Sequence, residues 1–95
     1  MEKILCAAIW YKNEHSPTHT IRNIDKGMVV TGYRHCDIID MYYVLTGKIS
    51  NNPDDVQGFL TSKKRFVDRK EAAEIAAKAG QTHIGNKGLF SEDLY

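Results

Sequence analysis

The chain has 95 residues, 42% of them hydrophobic and 26% charged, with only two prolines. That balance excludes a disordered or fibrous protein and fits one small globular domain. Thirteen Lys and Arg stand against twelve Asp and Glu, a net charge of +1. A protein that coats long nucleic acids must neutralise many phosphates, so this charge argues against one, although a local basic pocket remains compatible with it.

In chain order, Ile4 to Tyr11 is apolar, rich in β-formers and without a helical stripe, which predicts a buried strand. Lys12 to Lys26 is polar and reads as a loop, with room for a short strand near Thr20 to Ile24. Gly27 opens a second strand, Met28 to Thr31, and Gly32 closes it, so the first two strands make a hairpin with a long connection. From Arg34 the period changes: Ile38, Ile39, Tyr42 and Leu45 fall on one helical face. This predicts a helix over about Cys36 to Thr46, ended by Gly47. Asn51-Asn52-Pro53 marks a turn within Ser50 to Asp55. Val56 to Thr61 is a third strand, Ser62 to Lys64 a turn, and Arg65 to Val67 a short returning strand. Asp68 then caps a second helix, with Glu71 completing a capping box. Ala72, Ala73, Ile75, Ala76 and Ala79 give it a small-residue face, and Gly80 ends it. The tail Leu89 to Tyr95 is apolar enough to predict docking on its own core or on a partner subunit. The order β-β-α-β-β-α describes a single α+β domain over residues 1–95, without repeats.

So small a domain buries a limited fraction of its surface, which makes self-association a natural source of stability. Cys6 and Cys36 lack metal spacing and read as reduced thiols. No signal peptide and no run of about 20 apolar residues is visible, so a cytosolic protein without membrane contact is expected.

Two constellations are candidates for binding. In Gly32-Tyr33-Arg34-His35 a strand runs through a glycine into a helix N-terminus. Free N–H groups there attract anions, and an arginine clamps phosphate with two parallel bonds. The bland reading is a helix start with an exposed Arg and His beside Asp37 or Asp40. The second is Gly58-Phe59-Leu60-Thr61-Ser62-Lys63-Lys64-Arg65-Phe66, aromatics flanking a basic turn, a composition suited to stacking on bases and holding phosphate. Its bland reading puts Phe59 and Phe66 in the core and the lysines on a solvated tip. Arg69, in the first turn of the second helix, opposes the helix dipole unless an anion or water screens it.

Covalent chemistry is poorly served. His15 and His19 flank Pro17 and cannot share a helix face, and His35 has no partner at zinc spacing beyond Cys36 and Asp37, which point in different directions on a helix. Cys36 next to His35 is not a dyad, because adjacent helix residues diverge. No phosphate-binding loop or nucleophile elbow occurs. The residues predict no enzyme, metal or cofactor.

Ile4-Leu5-Cys6-Ala7-Ala8-Ile9, Gly32-Tyr33-Arg34-His35-Cys36-Asp37, Gln57-Gly58-Phe59-Leu60-Thr61, Arg65-Phe66-Val67-Asp68-Arg69-Lys70-Glu71-Ala72, Ala79-Gly80-Gln81 and Leu89 to Tyr95 together resemble a group of small phage-encoded proteins. The resemblance is to viral sponges of the Thoeris anti-defence type, which capture cyclic nucleotide signals of bacterial immunity. It implies a homo-oligomer in the host cytoplasm that binds a cyclic ADP-ribose isomer, or a cyclic di- or trinucleotide, without cleaving it. Its pockets would lie near subunit contacts. It further implies phosphate clamping by Arg34, Arg65 and Arg69, base stacking by Phe59 and hydrogen bonding by His35. Three other classes compete with it. One is a phage protein that inhibits a host protein through its apolar C-terminal tail. Another is a hydrolase of the messenger with His35 as general base. The weakest is a structural component of the virion.

Overall fold

The computed structural model describes residues 1–14, 21, 23, 24, 26–49, 53–81 and 88. Its elements are β1 (Ile4–Tyr11), β2 (Met28–Gly32), α1 (His35–Thr46), β3 (Val56–Thr61), β4 (Phe66–Asp68) and α2 (Arg69–Lys78). The predicted α+β order holds, and the boundaries fall within a residue of the expected ones. The possible strand near Thr20 to Ile24 does not form at Ile21, Asn23 or Ile24; Thr20 and Arg22 lie outside the described residues.

The strands make one sheet in the order β2-β1-β3-β4, each neighbouring pair antiparallel. β1 is central because it can be buried on both faces. Ala7, Ile9 and Tyr11 point one way and Ala8 and Trp10 the other, and all but Trp10 are fully or almost fully buried. Both helices cover the first face. There Ile9, Tyr11, Ile38, Tyr42, Phe59 and Val67 pack with the α2 alanines Ala72, Ala73 and Ala76. The alanines are the small-residue face expected for α2, and they let that helix lie close on the sheet. On the opposite face Ala8, Ile24 and Phe66 form a smaller cluster with Trp10, Val29 and Leu60.

Two side-chain amides extend the strand pairing. The Asn23 amide donates to the Phe66 carbonyl at 2.6 Å and accepts from the Phe66 N–H at 2.8 Å. Gln81 does the same for Ile4, both bonds at 2.8 Å. Each amide carries a donor and an acceptor in the geometry of a peptide unit, so each replaces a missing strand neighbour.

Leu45 departs from the expected helical face. Ile38 and Tyr42 are buried, but Leu45 is 70% exposed. Apolar side chains occupy most of the circumference of α1, and only the side centred on His35, Ile38 and Tyr42 meets the sheet. The predicted docking of Leu89 to Tyr95 lies outside the described residues.

Candidate functional site

The helix N-terminus proposed from sequence exists. Arg34 is the N-cap of α1 in an extended conformation, and its carbonyl accepts from the N–H of Asp37 at 3.1 Å and of Ile38 at 3.3 Å. The Asp37 carboxylate in turn accepts from the Arg34 N–H at 3.1 Å. The first turn therefore already holds an anion of its own, in the position where the dipole favours one. The Arg34 guanidinium lies over the Tyr33 ring, 5.1 Å from its centroid, and Tyr33 is 61% exposed. That pair is an aromatic platform with a cation seated on it.

The remaining predicted site residues have other duties. His35 is buried, and its Nε2 donates to the Gly58 carbonyl at 2.7 Å. Its ring meets Phe59 edge-on at 5.1 Å. Phe59 is fully buried, so the stacking role assigned to it is corrected: no ring face is open to a base. Strand alternation accounts for this, since Phe59 shares the helix-covered face with Val67, its register partner on β4. Arg65 forks onto Glu2 with Nε and Nη2, both at 2.9 Å, and Nη2 also reaches Glu71 at 3.3 Å. Thr61, fully buried, donates to the same Glu2 carboxylate at 2.6 Å. The Arg65 guanidinium, with Thr61 second, pulls the Glu2 carboxyl down to about 2 from 4.5. Arg69 donates from Nη2 to the Gln57 side-chain oxygen at 2.6 Å.

Arg34 and Arg65 do not share one pocket, whereas His35 and Arg69 bond to the adjacent β3 residues Gly58 and Gln57. Arg34 follows β2 and Arg65 leads into β4, the two opposite edges of the sheet. Three strand spacings separate the edges, about 14 Å. The space beside Arg65 is a groove of about 360 Å³ whose other charged walls are Glu2, Glu71, Glu74 and Lys78, so the arginine there already faces carboxylates.

Sequence reasoning missed a different surface. Ile39, Asp40, Tyr43, Val44 and Ile49 line a groove of about 400 Å³ along α1. Met41, Tyr43, Val44, Leu45 and Ile49 are each exposed by half or more. The signal was present: seven of the eight residues from Ile38 to Leu45 are apolar, more than one face can bury. The wall is firmly held. Tyr42 stacks on Tyr11 at 3.9 Å with the rings 4° apart, and its hydroxyl donates to Glu14 at 2.9 Å. Lys48 also reaches Glu14, at 2.7 Å, and lowers that carboxyl. Burial, reinforced by Glu14, pushes the Tyr42 phenol up to about 12.

Cys6 and Cys36 are free thiols, and burial raises that of Cys6. Among the described residues no group of three or more His, Cys, Asp and Glu is placed to hold a metal ion. Among them, too, no helix is long and apolar enough to cross a membrane.

No curated protein matches the chain, and no solved structure does. One family does match, over residues 3–95, and it is described as phage T4 y16D protein. A match over nearly the whole chain, carrying both helices and all four strands, shows that the protein is a member of the phage T4 y16D protein family.

Proposed function

We propose that this phage protein works by non-covalent binding, not by catalysis, and that its working surface is the outer face of α1. The observation that carries this reading is the exposure of Met41 (50%), Tyr43 (57%), Val44 (75%), Leu45 (70%) and Ile49 (70%) on one helix and the turn after it. Leaving apolar area in water forgoes about 25 cal/mol per Å². Monomeric soluble proteins rarely keep such side chains contiguous, and larger patches mark interaction sites. The candidate nucleophiles and bases offer little against it, since His35 commits its Nε2 proton to the Gly58 carbonyl. This reading gives the protein-binding role to α1; the tail, for which the sequence suggested it, lies outside the described residues. The test is a photo-crosslinking amino acid at position 44, with position 70 on α2 as control, in cells that express the protein. A discrete adduct at 44 and none at 70 supports the reading; no adduct at 44 overturns it.

A second reading keeps the cyclic nucleotide messenger, favoured by the exposed Tyr33 ring with the Arg34 guanidinium over it. An aromatic face and a cation side by side suit a base and its phosphate. Arg34 and Tyr33 would then be the contacts, with Phe59 and His35 supporting the fold beneath them. A thermal-shift panel of cyclic ADP-ribose isomers and cyclic di- and trinucleotides tests it. A selective rise that disappears in Arg34→Ala supports capture, and no rise with any nucleotide removes it.

A further inference from the structure

We infer that the occupant of the α1 face is a second copy of this chain, packed antiparallel about a two-fold axis at Val44. The inference rests on the reading of α1 as a docking surface and names its partner.

Val44 is the natural pivot. Nine residues of α-helix separate it from His35, which turns it about 180° from the buried side. Val44 is also 75% exposed, the most of any α1 residue among the large apolar side chains. An antiparallel pair centred there brings each residue before Val44 against the one equally far after it. Asp40, four before, then meets Lys48 of the partner subunit, four after, and the same ion pair recurs at the other end. Lys48 keeps 61% of its side chain exposed while bonded to Glu14, and an ammonium has three donors, so it can serve both carboxylates. Met41, three before, meets Gly47 of the partner subunit. A side chain at Gly47 would have no atom within 4 Å, so there is open space for the methionine. A two-fold interface must match itself in this reciprocal way, whereas a foreign partner imposes no such relation between Asp40 and Lys48. Antiparallel packing also sets each helix dipole against its opposite.

Asp37 to Ile49 forms a strip about 20 Å long, and with its flanks it offers on the order of 500 Å². Two copies would bury about 1,000 Å² between them, the lower bound for a specific interface, which makes the dimer a concentration-dependent one.

Sedimentation of the purified protein over a range of concentrations is the experiment, joined to disulfide trapping. The wild type should sediment as a dimer. Val44→Lys, at an exposed position, should be a monomer with an unchanged circular dichroism spectrum, and Asp40→Lys should weaken the dimer at least tenfold by placing like charges at both ends. With Cys36→Ser removing the exposed thiol, Val44→Cys should form a disulfide-linked dimer on oxidation, while Lys70→Cys on α2 should not. A wild type that stays monomeric at 100 µM overturns the proposal (the concentration being on the order of that reached by dimers of micromolar affinity). So does a dimer that survives Val44→Lys, or equal trapping at both positions. A monomer that still gives a discrete adduct at position 44 in cells would overturn the second copy alone and leave the docking face standing.

Discussion

Gly58 lies between Ala8 on β1 and Asp68 on β4, on the face where the Phe66 ring packs. A Cβ there would run into the Val67 carbonyl oxygen and would stand 2.8 Å from Phe66 Cζ. Backbone cannot retreat from this clash without breaking strand pairing, so Gly58→Ala should cost about 3 kcal/mol or more, read from its urea midpoint. The carbonyl of the same glycine receives the His35 proton. His35→Ala removes a buried ring and leaves that carbonyl without this donor, an expected loss of about 2–4 kcal/mol in chemical denaturation. A surface ligand contact would behave differently, since its removal leaves stability within about 0.5 kcal/mol. A near-wild-type midpoint for His35→Ala would therefore return the histidine to the list of contact residues. Sequence showed His35 at a helix start but not which way its ring turned, because its partner is 23 residues away.

At the scale of elements, the strands and helices were legible because their signals are local. Glycines bracket β2, and Asp68 caps α2 by accepting from the Glu71 N–H at 2.8 Å. Only half of the expected capping box forms with Asp68, as the Glu71 carboxylate turns to Arg65 at 3.3 Å. The N-terminal segment was silent in the sequence for the opposite reason: Glu2 gains its meaning from Arg65, 63 residues on. Arg65 read as a free phosphate clamp because nothing local revealed a carboxylate already in its fork. That pairing has a pH signature. Glu2 loses its proton more readily in the folded chain, its carboxyl lowered from 4.5 to about 2 by Arg65 and then Thr61. The stability it contributes is therefore complete above about pH 4.5 and lost as the pH falls through about 2. Glu14, lowered by Lys48 and Tyr42, acts in the same direction. Glu2→Gln should lower stability at neutral pH by about 1 kcal/mol, since Arg65 is partly solvated, and flatten the acid limb of the stability curve. An acid limb as steep in the variant as in the wild type would show that the pair contributes nothing measurable.

For the molecule as a whole, and among the described residues, both faces of the sheet are covered at least in part, but the outer side of α1 is not. The sheet buries one side under two helices and packs Ile24 with Phe66 on the other, so the core of this small chain closes. Its long apolar helix, by contrast, has more apolar surface than one sheet can cover. The same periodicity that identified α1 gave Leu45 to the core, because a pattern counts apolar residues and does not fix how many sides they serve. If a second copy supplies the missing cover, folding and association are linked, and the melting temperature must depend on protein concentration. A tenfold rise in concentration adds about 1.4 kcal/mol to a dimer of this size, or roughly 3–5 °C. Val44→Lys should abolish that dependence and melt at one temperature throughout. A wild-type melting temperature that does not move with concentration, measured by calorimetry across two decades, would mean that α1 meets another kind of partner.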